Sequence, residues 1–76
     1  MRIYLDRHFN FYTHNSQPWV EVDFIEPARL RNVLEELGIP IDEVYLVVIN
    51  GEAVNPQEVF ISKQDKVKLY PPFGGG

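Results

Sequence analysis

The chain has no cysteine among its 76 residues. That absence excludes a disulfide framework, a cysteine-ligated zinc or iron–sulfur site and a cysteine nucleophile. It agrees with a reducing, cytoplasmic setting. Basic residues are also scarce, with 7 Lys and Arg against 11 Asp and Glu and a net charge of −4. A nucleic-acid binder needs clustered cations to meet phosphate, so nucleic acid is not an expected partner. Long apolar runs are missing too. The longest is Val44 to Ile49, far short of the roughly 20 residues that span a bilayer. Met1 to Asp6 lacks the apolar stretch of a signal peptide, and no membrane partner is expected. The length permits one domain only, since a second core would need roughly 50 residues of its own. Such a chain is too small to enclose a substrate easily, which favours a binding or carrier role over a stand-alone enzyme.

What is present reads as alternating strands around one helix. Arg2 to Asp6 alternates, with Ile3 and Leu5 on one face and Tyr4 on the other. Phe9 and Phe11 keep the period of two, so His8 to Thr13 reads as an extension of that strand. His14 to Pro18 is a turn signal. Trp19 to Phe24 then alternates again, with Val20, Val22 and Phe24 on one face, which completes an opening hairpin. Pro27 marks a helix start, and Leu30, Val33, Leu34 and Leu37 form one apolar stripe. Gly38 is placed for a left-handed helix end, followed by Ile39 and Pro40.

Val44 to Asn50 is apolar on both faces, the mark of an interior strand or of one whose outer face meets a partner. Asn50-Gly51 predicts a type I′ turn, with Glu52 to Val54 as the returning strand. Asn55 to Ile61 reads as a short helical turn pinned to the core, and Gln64-Asp65 as a turn. Lys66 to Tyr70 is a last alternating strand, with Val67 and Leu69 on one face. This order closes one core only if the helix lies across one face of the sheet, with the first and last strands side by side. The expected fold is therefore an α+β, ubiquitin-like β-grasp: a mixed sheet with one helix packed across one face. The domain spans 1–73, and residues 74–76 form a glycine tail expected to be flexible.

That tail, Gly74-Gly75-Gly76, has no side chain to pack and is costly to order. One reading is a frayed end or a cloning scar. The other starts from Pro71-Pro72, which favours an extended conformation and projects the tail in one direction. A side-chain-free end threads a narrow channel, where its carboxylate can be activated as an acyl-adenylate. On that reading the reacting group is the α-carboxylate of Gly76.

The stretch Val67 to Gly76, with its Pro-Pro-x-x-Gly-Gly pattern, resembles the ending of the MoaD/ThiS family of sulfur carriers. Val48-Ile49-Asn50-Gly51-Glu52-Ala53-Val54 is similar to that family's strand–turn–strand hairpin, and the Leu30–Leu37 helix to its single leucine-rich helix. The ending is nearer the molybdopterin-synthase small-subunit branch than the thiamine branch. Departures are Gly74 in place of a small non-glycine residue, Gln64-Asp65 in place of Gly-Asp, and the aromatic first hairpin.

The resemblance implies a β-grasp carrier, not an enzyme, in the cytoplasm. An E1-like adenylating enzyme would use MgATP to activate Gly76, and the carrier itself would bind no cofactor. A persulfide sulfur donor would then form a thiocarboxylate. A sulfur-acceptor enzyme, such as a molybdopterin synthase large subunit in molybdenum cofactor biosynthesis, would receive the sulfur. Gly74 and Gly75 would thread the partner's channel, while Phe73, Pro72 and Tyr70 would dock against it. Two rivals stand beside this reading: a ubiquitin-like modifier conjugated through Gly76, and a plain interaction module.

No metal is expected, because His8 and His14 have no partner residues at ligand spacing and read as exposed turn residues. Asp42-Glu43, Glu35-Glu36 and the lysines Lys63, Lys66 and Lys68 read as solvated surface. Trp19, Tyr45, Phe60, Tyr70 and Phe73 exceed what one helix can cover, so the sheet face away from it is expected to carry an apolar docking patch. Its residues are either Val44, Leu46 and Val48 or Tyr45, Val47 and Ile49, a choice periodicity leaves open.

Overall fold

In the computed structural model, which describes residues 1–14 and 16–72, strand β1 (Arg2–Leu5) lies parallel to β7 (Val67–Tyr70). Ile3 faces Val67, Tyr4 faces Lys68 and Leu5 faces Leu69. The first and last strands thus sit side by side at the centre, as the alternation predicts. β2 (Trp19–Glu21) pairs antiparallel with β1, and β4 (Leu46–Ile49) pairs antiparallel with β7 and with β5 (Glu52–Val54). The resulting order is β2-β1-β7-β4-β5. A second, two-stranded sheet joins β3 (Ala28–Arg29) to β6 (Phe60–Ile61).

One face of the large sheet is covered by α2 (Leu30–Leu37), which buries Leu30, Val33 and Leu34 against Ile3, Leu5, Val47, Ile49, Val67 and Leu69. The helix ends as its sequence predicts. Gly38 is left-handed at φ 81°, its N–H meets the Glu35 carbonyl, and the Ile39 N–H meets the Leu34 carbonyl at 2.9 Å. Asn50 and Gly51 both have positive φ, 52° and 87°, as a type I′ turn requires. The architecture is the ubiquitin-like β-grasp expected from the element order.

Three local expectations change. Residues 8–13 do not extend β1: Arg7–Phe9 is a 3₁₀ turn and Asn10–Thr13 a short helix, α1. The Asp6 carboxylate accepts the His8 N–H at 3.0 Å and starts the turn. In helical backbone, residues two apart point to opposite sides, so Phe9 is fully buried while Phe11 is 78% exposed. β1 and β2 therefore pair through a helical connection and not across a tight hairpin.

The helix, expected from Pro27, begins at Leu30. The backbone of Ala28 and Arg29 is taken by β6, and the Leu30 N–H donates to the Val59 carbonyl at 3.0 Å. Residues 55–61 keep a turn closed by Asn55, whose side chain accepts the Gln57 N–H at 2.9 Å. The segment then finishes as strand β6, pairing that a single-strand pattern does not reveal.

Candidate docking face and tail exit

β7 alternates between the two faces of the sheet. Val67 and Leu69 enter the core, while Lys68 and Tyr70 point to the face that α2 leaves uncovered. The neighbouring strands place Arg2 and Tyr4, Trp19 and Glu21, Leu46 and Val48, and Ala53 on that same face. Register aligns five of them, Trp19, Tyr4, Lys68, Val48 and Ala53, in one row across the sheet. A second pair, Leu46 beside Tyr70, lies one step nearer the end of β7. Tyr4, Trp19, Leu46, Val48 and Tyr70 are all half-buried, so their apolar surface is partly open.

Neither of the two residue sets proposed for the Val44–Ile49 strand holds as a whole. Leu46 and Val48 point outward, while Val47 and Ile49 are buried. The parity breaks before the strand begins. Ile41–Glu43 forms a 3₁₀ turn, and Val44 closes it through an N–H bond to the Ile41 carbonyl. Val44 is therefore buried, and Tyr45 is 72% exposed.

The tail leaves from the end of β7. Tyr70 is half-buried, its carbonyl held by the Tyr45 N–H at 2.9 Å, and Pro71 is buried while Pro72 is exposed. Phe73, Gly74, Gly75 and Gly76, the other predicted site residues, lie outside the described residues. The strand directions bring the end of β1, the start of β4 and the start of β2 to this same end of the sheet.

Next to it the helical segments are tied together through Glu43. Its carboxylate accepts the Tyr12 hydroxyl at 3.2 Å and lies 3.8 Å from His8 Nε2. Partial burial, then the hydrogen bond to Glu43 and its negative charge, hold the Tyr12 phenol above its usual value. The periodicity of residues 8–13 hid this link, because it assigned them to a strand.

The charged residues of the open face divide clearly. Glu21 is already met by the Met1 ammonium at 3.1 Å and by Arg2 at 3.7 Å. The Arg2 guanidinium also lies 3.9 Å from the centre of the Trp19 ring. Lys68 Nζ stands 5.2 Å from the Tyr70 ring centre. Among the described residues no carboxylate pairs with the ammonium of Lys66 or Lys68. Lys63 does not belong to this face: it pairs with Asp23 at 3.1 Å, and its backbone N–H meets Glu26.

Among the described residues, no three His, Cys, Asp or Glu side chains are placed to hold a metal ion. No helix among them is long and apolar enough to cross a membrane.

Compared with known proteins, the chain matches the Mut7-C ubiquitin family model over residues 2–75. No curated protein and no solved structure matches it. The family match spans both edges of the sheet, the covering helix and the strand that leads to the tail. The chain belongs to the Mut7-C ubiquitin family, and its fold is ubiquitin-like.

Proposed function

We propose that this β-grasp domain is a sulfur carrier of the MoaD/ThiS kind, charged at the carboxylate of Gly76. In the first step a carboxylate oxygen attacks the α-phosphorus of MgATP on an E1-like partner, and pyrophosphate leaves. A persulfide sulfur of the donor then attacks the acyl carbon and AMP leaves. A thiol of the donor system cleaves the remaining S–S bond, which leaves the thiocarboxylate on the carrier and a disulfide on the donor. The acceptor enzyme takes the sulfur, with a molybdopterin-type synthase large subunit as the first choice and the thiamine pathway as the second. In this scheme the chain is a co-substrate, and no side chain of its own performs the chemistry.

The observation that supports the reading most is the position of β7. The strand that runs into the tail is the central one, bonded on both sides by β1 and β4. Its continuation is anchored by buried Pro71 before Pro72 emerges. A tail mounted in this way starts from a fixed point, which lowers the entropic cost of entering a partner's channel. Glycines at Gly74, Gly75 and Gly76 keep Cβ atoms out of a narrow passage and away from the acyl carbon.

Intact mass spectrometry tests the proposal. The purified protein is first checked for a free Gly76 carboxylate, then incubated with a cognate adenylating enzyme, MgATP and a persulfide donor. A mass gain equal to the difference between sulfur and oxygen is expected. Conjugates of higher mass support instead a modifier joined through Gly76, and an unchanged mass with every component active supports a plain interaction module. Deleting Gly76 is expected to abolish the gain with the far-UV circular dichroism unaltered. Sulfur loading of the truncated chain would sink the proposal.

A further inference from the structure

The open face of the sheet carries a charge opposite to that of the whole protein. The chain has a net charge of −4, yet among the described residues the strands place Arg2, Lys66 and Lys68 on this face against Glu21. Glu21 is already met by two cations, Arg2 and the Met1 ammonium, so it offsets neither lysine. Asp65, beside Lys66 in sequence, pairs with neither lysine: its carboxylate accepts the Asn50 side-chain N–H at 3.0 Å and the Ser62 backbone N–H at 2.7 Å.

Between the lysines and the apolar row lies a shallow hollow of about 240 Å³, lined by Tyr4, Val48, Gly51, Lys66 and Lys68. Pockets that enclose a free metabolite run from about 300 Å³ upward, so this one suits a single side chain presented by a larger partner. Its apolar wall continues through Lys68 and Tyr70 to Leu46 and the tail exit.

We infer that this face docks an acidic segment of a protein partner, with one large apolar side chain in the hollow and flanking carboxylates on Lys66 and Lys68. The half-buried ring of Tyr4 and the methyls of Val48 supply dispersion and burial for that side chain. The lysines set the sign of the partner and steer its approach. A nucleic acid is disfavoured by the chain's net charge of −4 and by the small number of cations on this face. That the partner is the activating or acceptor enzyme rests on the carrier reading; the surface itself does not.

The test is an NMR titration of the full chain with a short synthetic peptide, Leu-Phe at its centre and Asp and Glu on both sides. A charge-reversed peptide with Lys and Arg flanks and a single-stranded oligonucleotide serve as comparisons. The acidic peptide is expected to shift the amides of Tyr4, Val48, Gly51, Lys66 and Lys68 saturably, more weakly at high salt. K66E/K68E is expected to lose about tenfold in affinity while keeping a native spectrum, since both side chains are exposed.

Three results overturn the inference: no saturable shift at these residues, equal binding of the charge-reversed peptide, or tighter binding of the oligonucleotide at the same site. The titration involves no activation of Gly76. Its failure leaves the carrier reading standing, and a failed mass assay leaves this surface standing.

Discussion

Asn50 and Lys66 exchange two hydrogen bonds: the Asn50 backbone N–H donates to the Lys66 carbonyl, and the Lys66 N–H donates to the Asn50 side-chain oxygen, each at 2.9 Å. The same Asn50 amide reaches Asp65 at 3.0 Å. One turn residue thereby fixes the β4–β5 hairpin to the start of β7, and so fixes the register that places Lys68 opposite Val48 and Tyr4. The docking face depends on this register, because a slip of one residue would send Lys68 and Tyr70 into the core.

Replacing Gly51 tests the backbone half of that arrangement. A Cβ at Gly51 would meet nothing within 4 Å, so no clash arises, but its φ of 87° disfavours any L side chain. Gly51→Ala is expected to lower stability by about 1–2 kcal/mol, read from the urea midpoint with an unchanged slope. Asn50→Ala removes the side-chain bonds as well, and a loss of about 1–3 kcal/mol is expected. A neutral result for both would show that the turn does not hold the hairpin in this form.

Phe9 and Phe11 separate the helical from the extended reading of residues 7–13. Phe9→Ala empties a fully buried site and is expected to cost about 3–5 kcal/mol. Phe11→Ala removes a ring that is 78% exposed, for a change within about 0.5 kcal/mol. Thermal or denaturant unfolding of the two variants decides, since a strand would place both rings on one face and make their costs similar.

A pH dependence follows from Asp23. Its hydrogen bond to Lys63, then the charge of Lys63 and the Phe24 backbone N–H, lower its carboxyl pKa below the usual value. A depressed folded-state pKa adds stability that is fully present above the unfolded value of about 3.9 and is lost as pH falls through the folded value. Asp23→Asn is therefore expected to lower the neutral plateau slightly, to flatten the acid side of the stability profile and to match the parent chain below the folded value. Carbon-detected NMR titration of the Asp23 carboxyl checks the direction; a midpoint at or above the ordinary value would contradict it.

The features carried by local chemistry were legible in the sequence. The Leu30, Val33, Leu34 stripe, the Gly38 helix end, the Asn50-Gly51 turn and the alternation of Val67 and Leu69 each follow from one backbone preference, and each is found where it was expected. Residues 8–13 were not legible because a period of two over so few residues fits a strand or a helical turn with one ring buried. The choice was made by the Asp6 cap and by room in the core for Phe9. Residues 28–29 were not legible because what keeps them from joining the helix is β6, more than thirty positions away.

The candidate site divides in the same way. The terminal glycines and the paired prolines are visible as chemistry in the sequence. Which face of β4 is open, and that Tyr4, Lys66, Lys68 and Val48 surround one hollow, was not visible. Tyr4, Val48 and Lys68 come from three strands, with Lys66 just before the last of them, and only the register brings them together.

By itself the sequence determined the order of the five strands of the main sheet and the covering helix, the β-grasp class, the absence of cysteine chemistry and a glycine end without side chains, because composition and local periodicity carry that information. The tertiary structure alone decided where charge is left unpaired. An overall charge of −4 says nothing of its placement, whereas among the described residues Glu21 pairs with Arg2 and Asp23 with Lys63, and no carboxylate pairs with Lys66 or Lys68 on the open face. Net charge sums over the whole chain, but a partner responds to the few groups that long-range folding leaves unsatisfied on one side.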